Sequence, residues 1–376
     1  MIHSLEWPSL TVEWLPECEE FKDEGYSLHH LYLATHTSDN FPNSILKVSI
    51  QLQNDITLKE GDEIAEFPSD GISGKLKIEQ RIYHDGDVNK MRFMPQNPAI
   101  VATKTSSGIV NIFDTQTFPA LPPSESIHKT LELTGHEAEG YGLDWSRLQN
   151  GYLASGSDDC KICCWDIRGS TAPLRSYARS CVVEDVNWHP VQSHVLAAVG
   201  DDGFLGFYDL RQADPASLTP VHAKDCNVVR FNPHFPRLFV TASSDTSVKL
   251  WDERNLRFPY HVLEGHTGAV FAGEWSPMRG NVLATAGLDR RVIVWDLERK
   301  IGEEQTAEEA EDGPAELLFI HGGHTSKVND LAWNPNRDWA LASVADDNIL
   351  QVWEMADSVH NGKKYDVGNL DEALLD

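Results

Sequence analysis

An aromatic residue followed by an acid closes a β-like run six times in this chain: Phe113-Asp114, Trp165-Asp166, Tyr208-Asp209, Trp251-Asp252, Trp295-Asp296 and Trp353-Glu354. Successive acids lie 52, 43, 43, 44 and 58 residues apart. A histidine loop opens most units: His136 in TGHE, His222 in VHAK, His266 in EGHT and His324 in GGHT, with His84 in YHDG as a weaker copy. Between the anchors run LDWSR, VNWHP, VRFNP, GEWSP and LAWNP, then stretches such as LASGSDD or LATAGLD. Each unit reads as strand, turn, strand, Asp-bearing turn, strand and variable loop. Such a unit buries its faces only by stacking on its neighbours, so the period constrains the whole fold.

A step near 43 with Gly-His and Trp-Asp anchors is the WD-repeat signature, with four strands to a blade. A seventh unit precedes the six: SLTVEWLP around Trp14, HLYLATHT, SILKVSI, and KLKIEQRIYH leading into His84. The expectation is an all-β, seven-bladed propeller forming a single domain over 1–376. It carries an acidic loop insertion at about 301–316 and a C-terminal tail at about 357–376. Met1–Leu5 is expected to give the last blade its outer strand, because an open ring leaves two bare sheet edges.

Composition narrows the function. Formal net charge is −27, a field that repels nucleic-acid phosphates and anionic membranes and attracts basic proteins. No apolar run reaches the length of a bilayer span. The start, MIHSLEWPSL, lacks the basic and apolar regions of a signal peptide. The six cysteines (Cys18, Cys160, Cys163, Cys164, Cys181, Cys226) are scattered, which fits reduced thiols in the cytosol or nucleus.

His136, Ser155 and Asp159 form a triad-like set, but it recurs as His222, Thr241 and Asp245, as His266, Thr285 and Asp289, and as His324, Ser343 and Asp347. Catalysis needs one site, whereas a structural hydrogen-bond chain is needed in every blade, so the sets are expected to be structural. The unit with Ala198 in the Ser/Thr place has no evident His partner. CKICCW lacks the second cysteine pair of a zinc site. No Gly-rich phosphate loop is present, and neither enzymatic activity, cofactor nor metal is expected.

Repeat register also defines a surface. Stepping back four and six residues from each first-strand aromatic gives Asn89 and Asp87, Tyr141 and Glu139, Glu184 and Val182, Asn227 and Asp225, Phe271 and Ala269, and Asn329 and Lys327. Asp158, Asp201 and Asp346 stand just before the turn acids. Equivalent positions lie at equivalent heights, so these residues are expected to ring one channel mouth. Carboxylates with aromatics among them suit the Lys and Arg side chains of an extended basic peptide.

EWPSLTVEWLP, LATHTSD, MRFMPQNP, GHEAEGYGLDWS, VVEDVNWHP and IGEEQTAEEAEDGPAELLFIHGGHTSKVNDLAWNPN closely resemble the retinoblastoma-binding, MSI-type histone-binding WD-repeat proteins. The resemblance implies a nuclear, non-enzymatic histone-binding subunit of chromatin assembly, histone-modifying and remodelling complexes. Its acidic face would take the histone H3 tail through Asp87, Asn89, Glu139, Tyr141, Glu184, Asn227, Phe271, Lys327, Asp346 and Asn348, the last on resemblance alone. A second site would hold histone H4 helix 1 with Glu309 and Asp312, backed by Leu317, Leu318, Phe319 and Ile320. Family members precede EWPSL with a long helix, whereas this chain begins six residues before Trp7. Either the helix is absent or the sequence is truncated at its start, which leaves the second site the less certain of the two. Trp165–Arg168, Tyr208–Arg211 and Trp251–Arg254 also fit loosely the WDxR pattern of a ubiquitin-ligase substrate receptor.

Overall fold

The computed structural model describes residues 1–37, 41–53, 76–122, 127–213, 217–298, 313–356 and 359. Seven four-stranded antiparallel sheets follow one another along the chain. Their inner strands are Ser9–Phe21, Val88–Met94, Leu143–Trp145, Val183–Trp188, Cys226–Phe231, Val270–Trp275 and Val328–Trp333. Each packs on the inner strands of the blades before and after it, and the first packs on the last, so the sheets close a seven-bladed ring. Blades are numbered below by these inner strands.

The ring is latched by Ile2–Ser4, which pairs with Ile349–Glu354 as the outer strand of blade 7 (Ile2↔Gln351, His3↔Leu350, Ser4↔Ile349). This is the closure expected of Met1–Leu5, and it removes one of the two edges an open ring would expose. Blade 1 also follows its sequence reading: its other strands are Tyr26–Thr35, Asn43–Gln53 and Leu76–His84.

The core lies between blades. Alternation along each strand sends successive side chains to opposite sheet faces. Cys163 and Cys164 show this directly: Cys163 packs with Leu143 and Trp165 on the blade 2 side, and Cys164 with Tyr177 and Trp188 on the blade 4 side. Burial raises both thiols.

Inner-strand aromatics tie neighbouring blades together. The indole N–H of Trp145, Trp188, Trp275 and Trp333 donates to the carbonyl of Arg92, Asp144, Arg230 and Glu274 in the preceding blade, at 2.9–3.1 Å. In return, the side chains of Glu13, Asp144, Asn187 and Glu274 accept the backbone N–H of Phe93, Trp188, Phe231 and Trp333 in the following blade at 2.7–2.8 Å. Burial pushes Glu13 up to about 8 despite Arg92 nearby, and raises Asp144 and Glu274.

The repeated triads are structural relays. His222 Nδ1 meets Asp245 at 3.0 Å and its Nε2 meets Thr241 Oγ1 at 2.8 Å, and Trp251 Nε1 donates to the same hydroxyl at 2.9 Å. His266, Thr285, Asp289 and Trp295 repeat the arrangement. Where serine replaces threonine the relay is incomplete. His136 Nε2 has no partner beside Ser155, and Trp353 Nε1 has none beyond Ser343. A β-branched threonine holds its hydroxyl in few rotamers, whereas Ser155 turns its own toward Gly156 O.

Candidate functional site

Six equivalent backbone hydrogen bonds fix the height of the predicted ring. The N–H of Ser106, Asp158, Asp201, Ser244, Leu288 and Asp346 donates to the carbonyl of Asp87, Glu139, Val182, Asp225, Ala269 and Lys327, at 2.8–3.3 Å. Each joins the residue before a blade's turn acid to the residue six before its inner aromatic. The two sets of positions read from register therefore meet at one channel mouth. The approach is close: a Cβ on Gly200 or Gly287 would sit 2.0 Å from Val182 O or 2.1 Å from Ala269 O.

Blades 3 and 4 carry the strongest field. Tyr141 is 46% exposed, and after burial its phenol is raised by Glu139, Asp158, Glu184 and Asp346, carboxylates drawn from blades 3, 4 and 7. Burial, then the neighbouring Asp201, pushes Glu184 up to about 8. Burial followed by Glu139 and Asp201 raises Asp158. A cation entering this sector would relieve that mutual repulsion and could lie on the phenol ring.

Other expected residues take different parts. Asn89 is buried, its amide donating to Glu139 Oε2 at 3.1 Å, so it orients the carboxylate. Asn227 is likewise buried and donates to Val270 O and Ser244 Oγ. Asp87 accepts from Asn43 and lies 3.6 Å from His36 Nε2. Asp346 is exposed and accepts from Asn329 at 2.7 Å. Asn348 has a left-handed φ of 62°, and its carbonyl accepts from Leu5 N–H. Lys327 sets its ammonium 4.2 Å from the Phe271 ring centroid, so the protein's own cation covers that aromatic.

The second expected site is reached only in part, because Glu309 and Asp312 lie outside the described residues. Leu317–His321 forms the outer strand of blade 6. Leu318 is buried between blades 6 and 7 and Leu317 packs toward blade 5, so neither is the freely presented apolar backing expected. Phe319 is half-buried and Ile320 exposed. Glu316, counted with the acidic insertion, is instead buried and bonded to His261 at 2.8 Å.

Arg168, Arg211 and Arg254 each fold back onto the acid of their own blade's aromatic-acid pair: Asp166, Asp209 and Asp252. They cap the loop that follows.

One functional arrangement escaped the sequence reading. Behind the mouth, Asp330 accepts from Thr11 Oγ1, Val12 N–H, Lys90 Nζ and both terminal nitrogens of Arg92, at 2.8–3.1 Å. Against the upward push of burial, Arg92 and Lys90 hold its carboxyl well below the usual range. This cluster joins blades 7, 1 and 2 and plugs the channel. Its signal is the set of charged residues one and three before the inner aromatics.

Residues 1–54 match the family model that describes the histone-binding protein RBBP4 and its counterpart in the CAF1 complex. Residues 128–166, 216–252, 257–296 and 315–354 match the WD domain, G-beta repeat. The four repeat matches end in the blades with a tryptophan before the acid; blades 2 and 4, with Phe113 and Tyr208 there, are not among them.

Proposed function

We propose that this chain, which belongs to the histone-binding WD-repeat proteins of the RBBP4 and CAF1 type, takes the basic N-terminal tail of histone H3 across the acidic mouth of its channel. The observation that carries the reading is the exposed Tyr141 ring surrounded by carboxylates from three blades. Such a pocket receives a Lys or Arg side chain by charge and by ring face together. Asp87, Glu139, Glu184 and Asp346 supply the charge, Asn89 and Asn227 hold the loops in place, and Asn348 extends the surface toward blade 1. Phe271 becomes available to a tail side chain once Lys327 moves aside.

The role is that of a scaffold within nuclear chromatin assembly, histone-modifying and remodelling complexes, presenting histones to the other components. A second contact, with histone H4 helix 1, is assigned to Glu309 and Asp312 with Ile320 and Phe319. The exposed Ile320 supports it.

Glu139→Lys with Glu184→Lys is expected to abolish capture of an H3-tail peptide in a pull-down, with the deficit largest at low salt. Retained H3-tail binding would sink the channel assignment. Glu309→Ala with Asp312→Ala should weaken binding of an H4 helix-1 peptide and leave the H3 tail unaffected.

A further inference from the structure

The other mouth of the channel is built differently. Two residues beyond each inner aromatic, at the hairpin that ends the inner strand, stand Pro16, Pro95, Pro190, Pro233, Pro277 and Pro335. Blade 3 breaks the series with Arg147. Proline has no N–H and a fixed φ, so this rim is a stiff collar with few donors of its own. The next position outward is apolar and exposed in three blades: Leu148 at 47%, Val191 at 61% and Met278 at 41%.

Between these hairpins opens a cavity of about 150 Å³, with Arg147, Pro190, Pro233 and Pro277 among its lining. Three more cations line it, but each is engaged: Lys90 and Arg92 on Asp330, and Arg230 on Asp185. Arg147 is exposed and makes no ion pair among the described residues. Turn formation accounts for the prolines. It does not account for an unpaired guanidinium inside the collar, nor for three large apolar side chains facing water beside it.

We infer that this mouth is a second docking surface, for a partner segment that places one carboxylate side chain on Arg147 and apolar side chains on Leu148, Val191 and Met278. Charge complementarity selects the occupant. The chain carries a formal −27, so an acidic segment is repelled from the opposite mouth and meets an available cation here. A guanidinium binds a carboxylate in a two-pronged geometry, and the rigid collar reduces the ordering cost of the complex. The two mouths thus sort partners by sign: basic tails at one end, acidic-apolar segments at the other.

A phage-displayed random peptide library selected on the wild-type chain, with subtraction on Arg147→Glu, tests this. Expected is enrichment of sequences with Asp or Glu flanked by large apolar residues. A synthetic representative, followed by fluorescence anisotropy, should lose at least about tenfold in affinity with Arg147→Glu and with Val191→Asp. It should keep most of its affinity with Arg147→Lys, and an H3-tail peptide should not displace it. Circular dichroism and melting confirm that the variants fold, and Met278→Asp replaces any that do not. The inference is overturned if no peptide distinguishes wild type from Arg147→Glu, or if the selected peptides are displaced by the H3 tail. It is also overturned if sedimentation velocity shows that the surface instead pairs two copies of this chain in an Arg147-dependent way.

Discussion

Arg179 stands 23 residues before Asp202 and grips both its carboxylate oxygens, at 2.8 and 2.9 Å. Four other blades place a histidine at the same spacing from the turn acid: His136, His222, His266 and His324. Arg179 also reaches Ala198 O, the position where those blades carry Ser or Thr. A long cation has replaced the His-hydroxyl pair, filling the space that Ala198 leaves. Arg179→His should therefore cost about 1–3 kcal/mol, because the new imidazole finds no hydroxyl to meet its Nε2. Adding Ala198→Thr should recover most of that loss. A double-mutant cycle from urea melts reads the coupling.

Blade 3 offers the converse experiment. Its His136 has a buried Nε2 without a partner, and burial holds the imidazole down to about 4. Ser155→Thr should fix the hydroxyl toward that nitrogen, as Thr241 and Thr285 do. An increase in stability of about 1 kcal/mol is expected, seen as a higher melting temperature with unchanged H3-tail affinity.

Removing the charge of Asp330 should be far more damaging. Asp330→Asn keeps the shape but leaves Lys90 and Arg92 without their shared anion inside the channel. A loss of about 3–5 kcal/mol is expected in chemical denaturation, with blades 1, 2 and 7 opening first in hydrogen exchange.

Peptide binding should depend on pH through Glu184. Its folded value of about 8 means that at pH 6 a basic side chain meets a mostly neutral acid, and at pH 9 a carboxylate. H3-tail affinity in fluorescence anisotropy is expected to strengthen several-fold between pH 6 and pH 9 at constant ionic strength, and to change less in Glu184→Gln. Stability of the unliganded chain runs the other way. An acid raised in the folded state above its ordinary 4.5 stabilises below that value and loses the contribution as pH climbs through about 8. Glu13, also at about 8, adds to this trend.

The fold was legible because the anchors that mark each blade are also the residues that hold it. Trp251, Thr241, His222 and Asp245 are one hydrogen-bonded unit, so their spacing reports a contact. The height of the acidic ring was legible for the same reason, since a constant register fixes which carbonyl meets which N–H. What stayed hidden depends on substitution across blades. Arg179 stands in for histidine with different chemistry, and only the spacing of 23 betrays it. Burial of Asn89 and Leu318 depends on how neighbouring blades lean together, which a linear pattern does not encode. Lys327 resting on Phe271 depends on two side chains whose positions lie 56 residues apart.

The latch between Ile2–Ser4 and Ile349–Glu354 has a consequence for how the molecule is made. During synthesis the first segment leaves the ribosome hundreds of residues ahead of the strand it must cover. Until then the incomplete ring carries bare sheet edges and the apolar faces of blades 1 and 7, which cover each other only at the end. The nascent chain should therefore be a client for holding chaperones until its last blade emerges. Truncations inside blade 7 should yield aggregates and not six-bladed rings.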